Sequence, residues 1–213
     1  MRDTLITNPW LADNCVRPRP EIVGKAKLTP AELSALVAEA GSWLRQQREK
    51  FYPQGIPLSN SHRMQLEPFF AAEILNTVRI VNLSQIGEPM PSPPFFQKLL
   101  AAGPLMLPKS AHTAAVPFID VAVFQGEPSL RVVFHTLVHV TQMVLVGPEQ
   151  VMEGCFRALT VSGLWMAVPF EEQAYQMDAR FTANSAAVFS VEQEVREWLR
   201  SGRYHQAGTH RTS

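Results

Sequence analysis

The chain has 213 residues, 19 Lys plus Arg against 19 Asp plus Glu, and 46% hydrophobic residues, which describes one compact domain and excludes a disordered tail protein. Roughly 70% of the unfolded surface of such a chain can be buried on folding, so disulfides are not needed; Cys15 and Cys155 stand far apart with no C-x-x-C pair, as expected in a reducing compartment. Zero net charge without a basic cluster leaves no footprint for nucleic acid, and with neither a signal-peptide stretch nor a membrane span the expected location is the cytoplasm.

Seventeen prolines, about 8% where roughly 5% is usual, punctuate the chain. Residues 1–27, with Pro9, Pro18 and Pro20, read as an extended arm. Thr29-Pro30-Ala31-Glu32 is a capping box and predicts a helix to about Lys50 with Leu33, Leu36, Val37, Ala40 and Leu44 inward. A second helix is expected over 67–82, burying Phe69, Phe70, Ile74, Leu75 and Val78. Four prolines between Gly87 and Pro94 make a loop, and a short helix over 95–102 ends at Pro104 and Pro108.

Val116–Phe124 is β-branched and aromatic with Pro117 near its start, the pattern of one edge strand. Ser129 to Val146 is long, apolar and closed by Gly147-Pro148, which predicts a buried helix. Only five charged residues fall between Ala101 and Gln150, which locates the core there. Further helices are expected over 148–162, 169–183 and, opened by the Ser190-x-x-Gln193 cap, 191–200, before a flexible tail over 204–213. The fold class is therefore α+β, mostly α-helical, with a small sheet. It forms a single domain: a helical part over 29–110, a core over 116–183 and a C-terminal helix over 190–203.

The buried helix carries His135-Thr136-Leu137-Val138-His139. Residues four apart project from one face of a helix, so two imidazoles at this spacing can share a metal ion; two hydrogen-bonded core histidines satisfy the same spacing.

The stretch from Phe134-His135-Thr136-Leu137-Val138-His139-Val140-x-Gln142 to Val168-Pro169-Phe170-Glu171-Glu172-Gln173-Ala174-Tyr175 resembles the zincin-like metallopeptidases whose third ligand is a glutamate, in particular small bacterial proteins reading HELVHVxQ and then IPxExxAY. The resemblance covers residues 116–181 and implies a zincin-like domain in which an edge strand precedes the metal-site helix. It makes His135, His139 and Glu171 the metal ligands, and three protein ligands leave the open position of a catalytic site. Without the resemblance, Glu171 reads as an acid complementing the helix dipole after Pro169. Glu172 is the competing ligand.

Two departures separate the chain from that lineage. Position 136, where the lineage has the glutamate that shuttles protons for bound water, is Thr136, and a hydroxyl is no general base near neutral pH. Tyr175 stands where many relatives have an acid that steadies a ligand histidine. Other candidates are Gln142, one turn beyond His139, for a ligand or substrate bond or, equally, for solvation on the helix surface; His112 and Glu172 for a relocated acid or base; and Asp178 and Arg180 as supporting or anion-stabilising groups or, alternatively, an ion pair. Cys155 reads as core, and His62, His205 and His210 have no partner at ligand spacing.

The function expected is a metal-dependent enzyme, with one Zn²⁺ or Fe(II), acting on a small, rather apolar substrate and not a standard peptidase. A pseudo-metallopeptidase serving as a binding protein, and a metallohydrolase with a relocated base, are the alternatives. The partner expected is a small molecule, not nucleic acid or a membrane.

Overall fold

The computed structural model describes residues 27–107 and 113–202. The arm expected before Lys27, the tail over 204–213, and Cys15, Pro108, His112, His205 and His210 lie outside the described residues.

The Thr29 capping box forms as the sequence implies: Glu32 N donates to Thr29 Oγ1 at 3.2 Å and Thr29 N to Glu32 Oε2 at 2.7 Å. It opens α1, Pro30–Phe51, which buries Leu36, Ala40, Trp43 and Leu44 along one stripe.

The single helix expected over 67–82 is not formed. Ser59 caps an earlier helix, α2 (Asn60–Leu66), which ends before Pro68. After it come α3 (Ala72–Thr77), strand β2 (Arg79–Asn82) and α4 (Leu83–Ile86). The apolar positions are buried as anticipated, but Val78-Arg79-Ile80-Val81 is β-rich, and a parallel partner strand satisfies its backbone. Helical spacing over this window is a coincidence of two periods. The short helix expected at 95–102 is α5, Phe96–Ala102.

The segment expected as one strand, 116–124, is a hairpin: β3, Ala115–Phe118, and β4, Val121–Phe124. Its two-residue turn sets Ile119 at φ 63°, a costly conformation for a β-branched residue. The next residue, Asp120, is held by Arg48 Nη2 at 2.7 Å. With β1, Ile56–Pro57, the strands make one mixed sheet in the order β1-β2-β4-β3, β2 and β4 parallel and the outer pairs antiparallel. Pro117 lies on the edge strand, where its missing N–H costs nothing, and β4 is buried along its whole length.

The sheet divides two apolar clusters. Val121 and Val123 face one, with Trp43, Phe95 and Phe118; Ala122 and Phe124 face the other, with Phe69, Phe134 and Phe181. The remaining helices close over them: α6 (Leu130–Val146), α7 (Pro148–Ser162), α8 (Pro169–Ala183) and α9 (Val191–Arg200). Their starts follow the expected caps, Ser129 accepting from Val132 N and Ser190 from Gln193 N. Gly147, at φ 96°, lets the chain turn 111° from α6 into α7, a backbone state that disfavours side chains. Among the described residues no single helix is long and apolar enough to cross a membrane. The fold is α+β and mostly helical.

Candidate metal centre

On α6 the residues at 131, 135, 139 and 143 fall on one face, and all four line a cavity of about 430 Å³ between α1, α6, α7 and α8. Helix α8 packs alongside α6 and brings Glu171, in its first turn, to the two histidines. His135 Nε2 and His139 Nε2 are 3.2 Å apart, and Glu171 Oε2 lies 3.7 Å from the first and 3.4 Å from the second. Donors bound tetrahedrally at about 2.0–2.1 Å are separated by about 3.3 Å, so the three atoms already have the spacing of one face of a zinc coordination sphere. Among the described residues they form a group able to hold a metal ion.

The hydrogen bonds behind the donors set their state. The Gln142 amide donates to Phe170 O at 3.0 Å and to Gln173 Oε1 at 2.9 Å, so its oxygen must accept from His139 Nδ1–H at 2.8 Å. That assigns the proton of neutral His139 to Nδ1 and turns the lone pair of Nε2 toward Glu171, the tautomer a metal ligand requires. Gln142 is fully buried (0% exposed), a high cost for an amide unless every bond is made. On the other side, Trp165 Nε1 donates to Glu171 Oε1 at 3.0 Å, leaving Oε2 to face the imidazoles.

His135 is held differently. Its Nδ1 is buried with no hydrogen-bond partner; Asp178 Oδ2 stands 4.0 Å away, beyond bonding distance but in the direction a metal-bound imidazole needs an acceptor. Asp178 is 1% exposed and is gripped by Arg131 Nε at 2.8 and 3.0 Å. The Tyr175 ring packs on His135 at 4.6 Å between centroids. Asp178, three residues beyond Tyr175 on α8, is thus the carboxylate on the Nδ1 side of His135.

His139 and Glu171 stabilise each other's charged forms, and the titration directions express this. Burial alone would lower the His139 pKa, but the charge of Glu171 and hydrogen bonds to Glu171 and Gln142 outweigh it and raise it. For Glu171 burial works upward and is overcome by the two histidines, which hold the carboxyl well below its usual range. A buried acid that stays ionised beside two imidazoles is a donor set chemically matched to a divalent ion.

The other candidates separate cleanly. Thr136 is buried, lines the cavity and donates its hydroxyl to Val132 O at 2.8 Å. Glu172 is not among the cavity-lining residues and accepts from Gln176 Nε2 at 3.3 Å. Arg180 is also absent from the lining; it pairs with Glu194 at 2.7 Å and covers the Phe189 ring. Cys155 is a free, buried thiol at the cavity wall whose pKa burial pushes up. His62 lies on α2, outside the cluster. Sequence reasoning missed Arg131, Trp165 and Gln173. Arg131 was findable one turn before His135, on the same face; the other two become partners only when α8 docks. Comparisons with protein-family models, with curated proteins and with solved structures each find no match, so the site rests on its own geometry.

Proposed function

We propose that the protein is a metal-dependent enzyme of zincin-like ancestry that acts, in the cytoplasm, on a small and largely apolar substrate by chemistry other than standard peptide hydrolysis. The observation that carries this reading is the convergence of His135 Nε2, His139 Nε2 and Glu171 Oε2 on the wall of an otherwise mostly apolar cavity. Two imidazoles and a carboxylate suit Zn²⁺, and with open positions they also suit Fe(II). A divalent ion bound there supplies Lewis acidity toward a carbonyl or hydroxyl oxygen.

The chain's own residues supply orientation and proton control. Gln142 and Trp165 fix the two donors His139 and Glu171 from behind. Thr136 spends its hydroxyl on its own helix, so the proton shuttle of a peptidase is missing, a loss on the order of 10²–10⁴ in rate. Burial and the charges of Glu171 and Asp178 push the Tyr175 phenol up to about 12 despite Arg131. It therefore stays protonated near neutral pH and can donate to a substrate oxygen, but cannot act as a base.

One observation favours a second reading, a metal-stabilised binding protein without turnover. The carboxylates lining the cavity among the described residues, Glu171 and Asp178, are both already engaged. Elemental analysis of protein purified without a His tag tests the shared premise: about one Zn or Fe per chain is expected, lost in His139→Ala. Wild-type protein that retains no ion when offered each at neutral pH overturns both readings. Chelator-sensitive turnover of small apolar carbonyl compounds and alcohols separates the enzyme from the binding protein, and robust chelator-sensitive cleavage of a peptide library overturns the non-peptidase reading.

A further inference from the structure

We infer that the ligand of this cavity is an apolar molecule with a single anionic oxygen head, of the class of a medium-chain monocarboxylate, its body lying among the apolar walls and its head at His135, His139 and Arg131. The inference rests on the metal reading above and narrows it to a substrate class.

The lining is segregated. Its charged and imidazole groups, Arg131, His135, His139, Glu171 and Asp178, all come from α6 and α8, with Tyr175 beside them. The remaining walls, from α1, the proline-rich loop, β3 and α7, are apolar apart from Thr113 and Cys155, with Trp43, Phe95, Val116 and Met152 prominent. The Thr136 hydroxyl is committed to Val132 O. A ligand with a second polar group along its body would therefore leave that group unpaired against an apolar wall, which is costly. Two other wall residues, Met106 and Met166, are 55% and 41% exposed; flexible thioethers at a rim suit the passage of an apolar body.

Size and charge narrow the class. At the packing density of protein interiors, about 430 Å³ holds on the order of 15 non-hydrogen atoms. The charges of Arg131 and Asp178 cancel in their ion pair. That leaves Glu171 against a divalent ion, a net single positive charge in a low-dielectric cavity, which favours a monoanion over an ammonium or a neutral head. Among the described residues Arg131 engages Asp178 through Nε alone, so its terminal nitrogens remain to donate to the head group.

The test is a titration of Trp43 and Trp165 fluorescence, both residues lining the cavity, with dodecanoate, dodecan-1-ol, dodecylamine and acetate. Zinc-loaded and chelator-treated protein are compared, and metal content is measured on the same samples. Zinc-loaded protein should bind dodecanoate at least about tenfold more tightly than dodecanol, the scale of one charge-assisted hydrogen bond, with acetate undetected. Chelation should reduce that preference to the part that Arg131 supplies and leave dodecanol binding unchanged. The double variant Met106→Glu/Met166→Glu, at exposed positions that leave the fold intact, should weaken dodecanoate more than dodecanol. Equal affinity for carboxylate and alcohol, or tighter binding of the amine, in protein shown to hold zinc overturns the anionic head while the metal reading stands. Acetate binding as tightly as dodecanoate overturns the apolar body. Protein that retains no zinc fails at the earlier step, and a dodecanoate preference undiminished by chelation overturns the metal's part in head-group selection.

Discussion

The two faces of α6 are built on opposite terms. One face sends Phe134, Leu137 and Val138 into a closed apolar cluster, where Phe134 stacks on Phe181 at 4.3 Å and meets Phe69 edge-on at 5.6 Å. The other presents Arg131, His135 and His139 to a cavity, with an orphaned imidazole nitrogen and an ionised buried carboxylate. The packed face stabilises the helix; the cavity face carries polar groups whose burial costs free energy and is offset by their mutual bonds. A helix held firmly on one side can keep an unfavourable donor set in position on the other, as a preorganised site requires.

Changes on the two faces should therefore separate stability from metal binding. The largest effect is expected for Phe134→Ala, a cost of about 3–5 kcal/mol in chemical denaturation, while the folded fraction still binds metal at the wild-type ratio; loss of metal from well-folded protein would show that the faces are not independent. Next come His139→Ala and Glu171→Gln, which should abolish the stabilisation zinc confers, about 2.7 kcal/mol at a hundredfold excess over the dissociation constant. Glu172→Gln should leave that stabilisation intact, and the reverse result for the two glutamines would move the ligand by one residue.

Smaller effects sharpen the contrast. Trp165→Phe removes the bond to Glu171 Oε1 and should weaken zinc binding about 10–100-fold in competition with a chelator, with the fold unchanged. In the ion-free protein the raised His139 pKa contributes stability that is fully present below the unfolded value of about 6.5 and lost as pH rises through the higher folded value. The lowered Glu171 pKa contributes stability present above its unfolded value of about 4.3, lost only as pH falls through its lower folded value. Zinc needs both imidazoles unprotonated, so the difference in melting temperature between zinc-loaded and ion-free protein should widen from pH 6 to pH 8; a constant or narrowing gap contradicts the assignment of the histidines as ligands. The smallest effect is Thr136→Ala, within about 1 kcal/mol because the hydroxyl only doubles a bond within its helix, with metal content unchanged. A marked loss of metal on that change would give Thr136 a place in the site that its hydrogen bond does not show.

What the sequence determined by itself was local. Caps and stop signals act within one turn, so Thr29, Ser129, Gly147-Pro148 and Ser190 placed the ends of α1, α6, α7 and α9, and four-residue spacing placed His135 and His139 on one face. The resemblance to glutamate-ligand zincins pointed to Glu171. Only the tertiary structure decided that 79–82 is a strand, because its partner β4 lies about 40 positions away, and that 116–124 folds back on itself around Ile119. It also decided that Gln142 and Trp165 brace the donors, that Asp178 stands on the Nδ1 side of His135, and that Glu172 and Arg180 lie off the cavity. These depend on the rotation at which α8 docks on α6. Hydrogen bonds and charge pairs between helices are set by that rotation, which is the outcome of packing many side chains together and has no signature within a single turn of sequence.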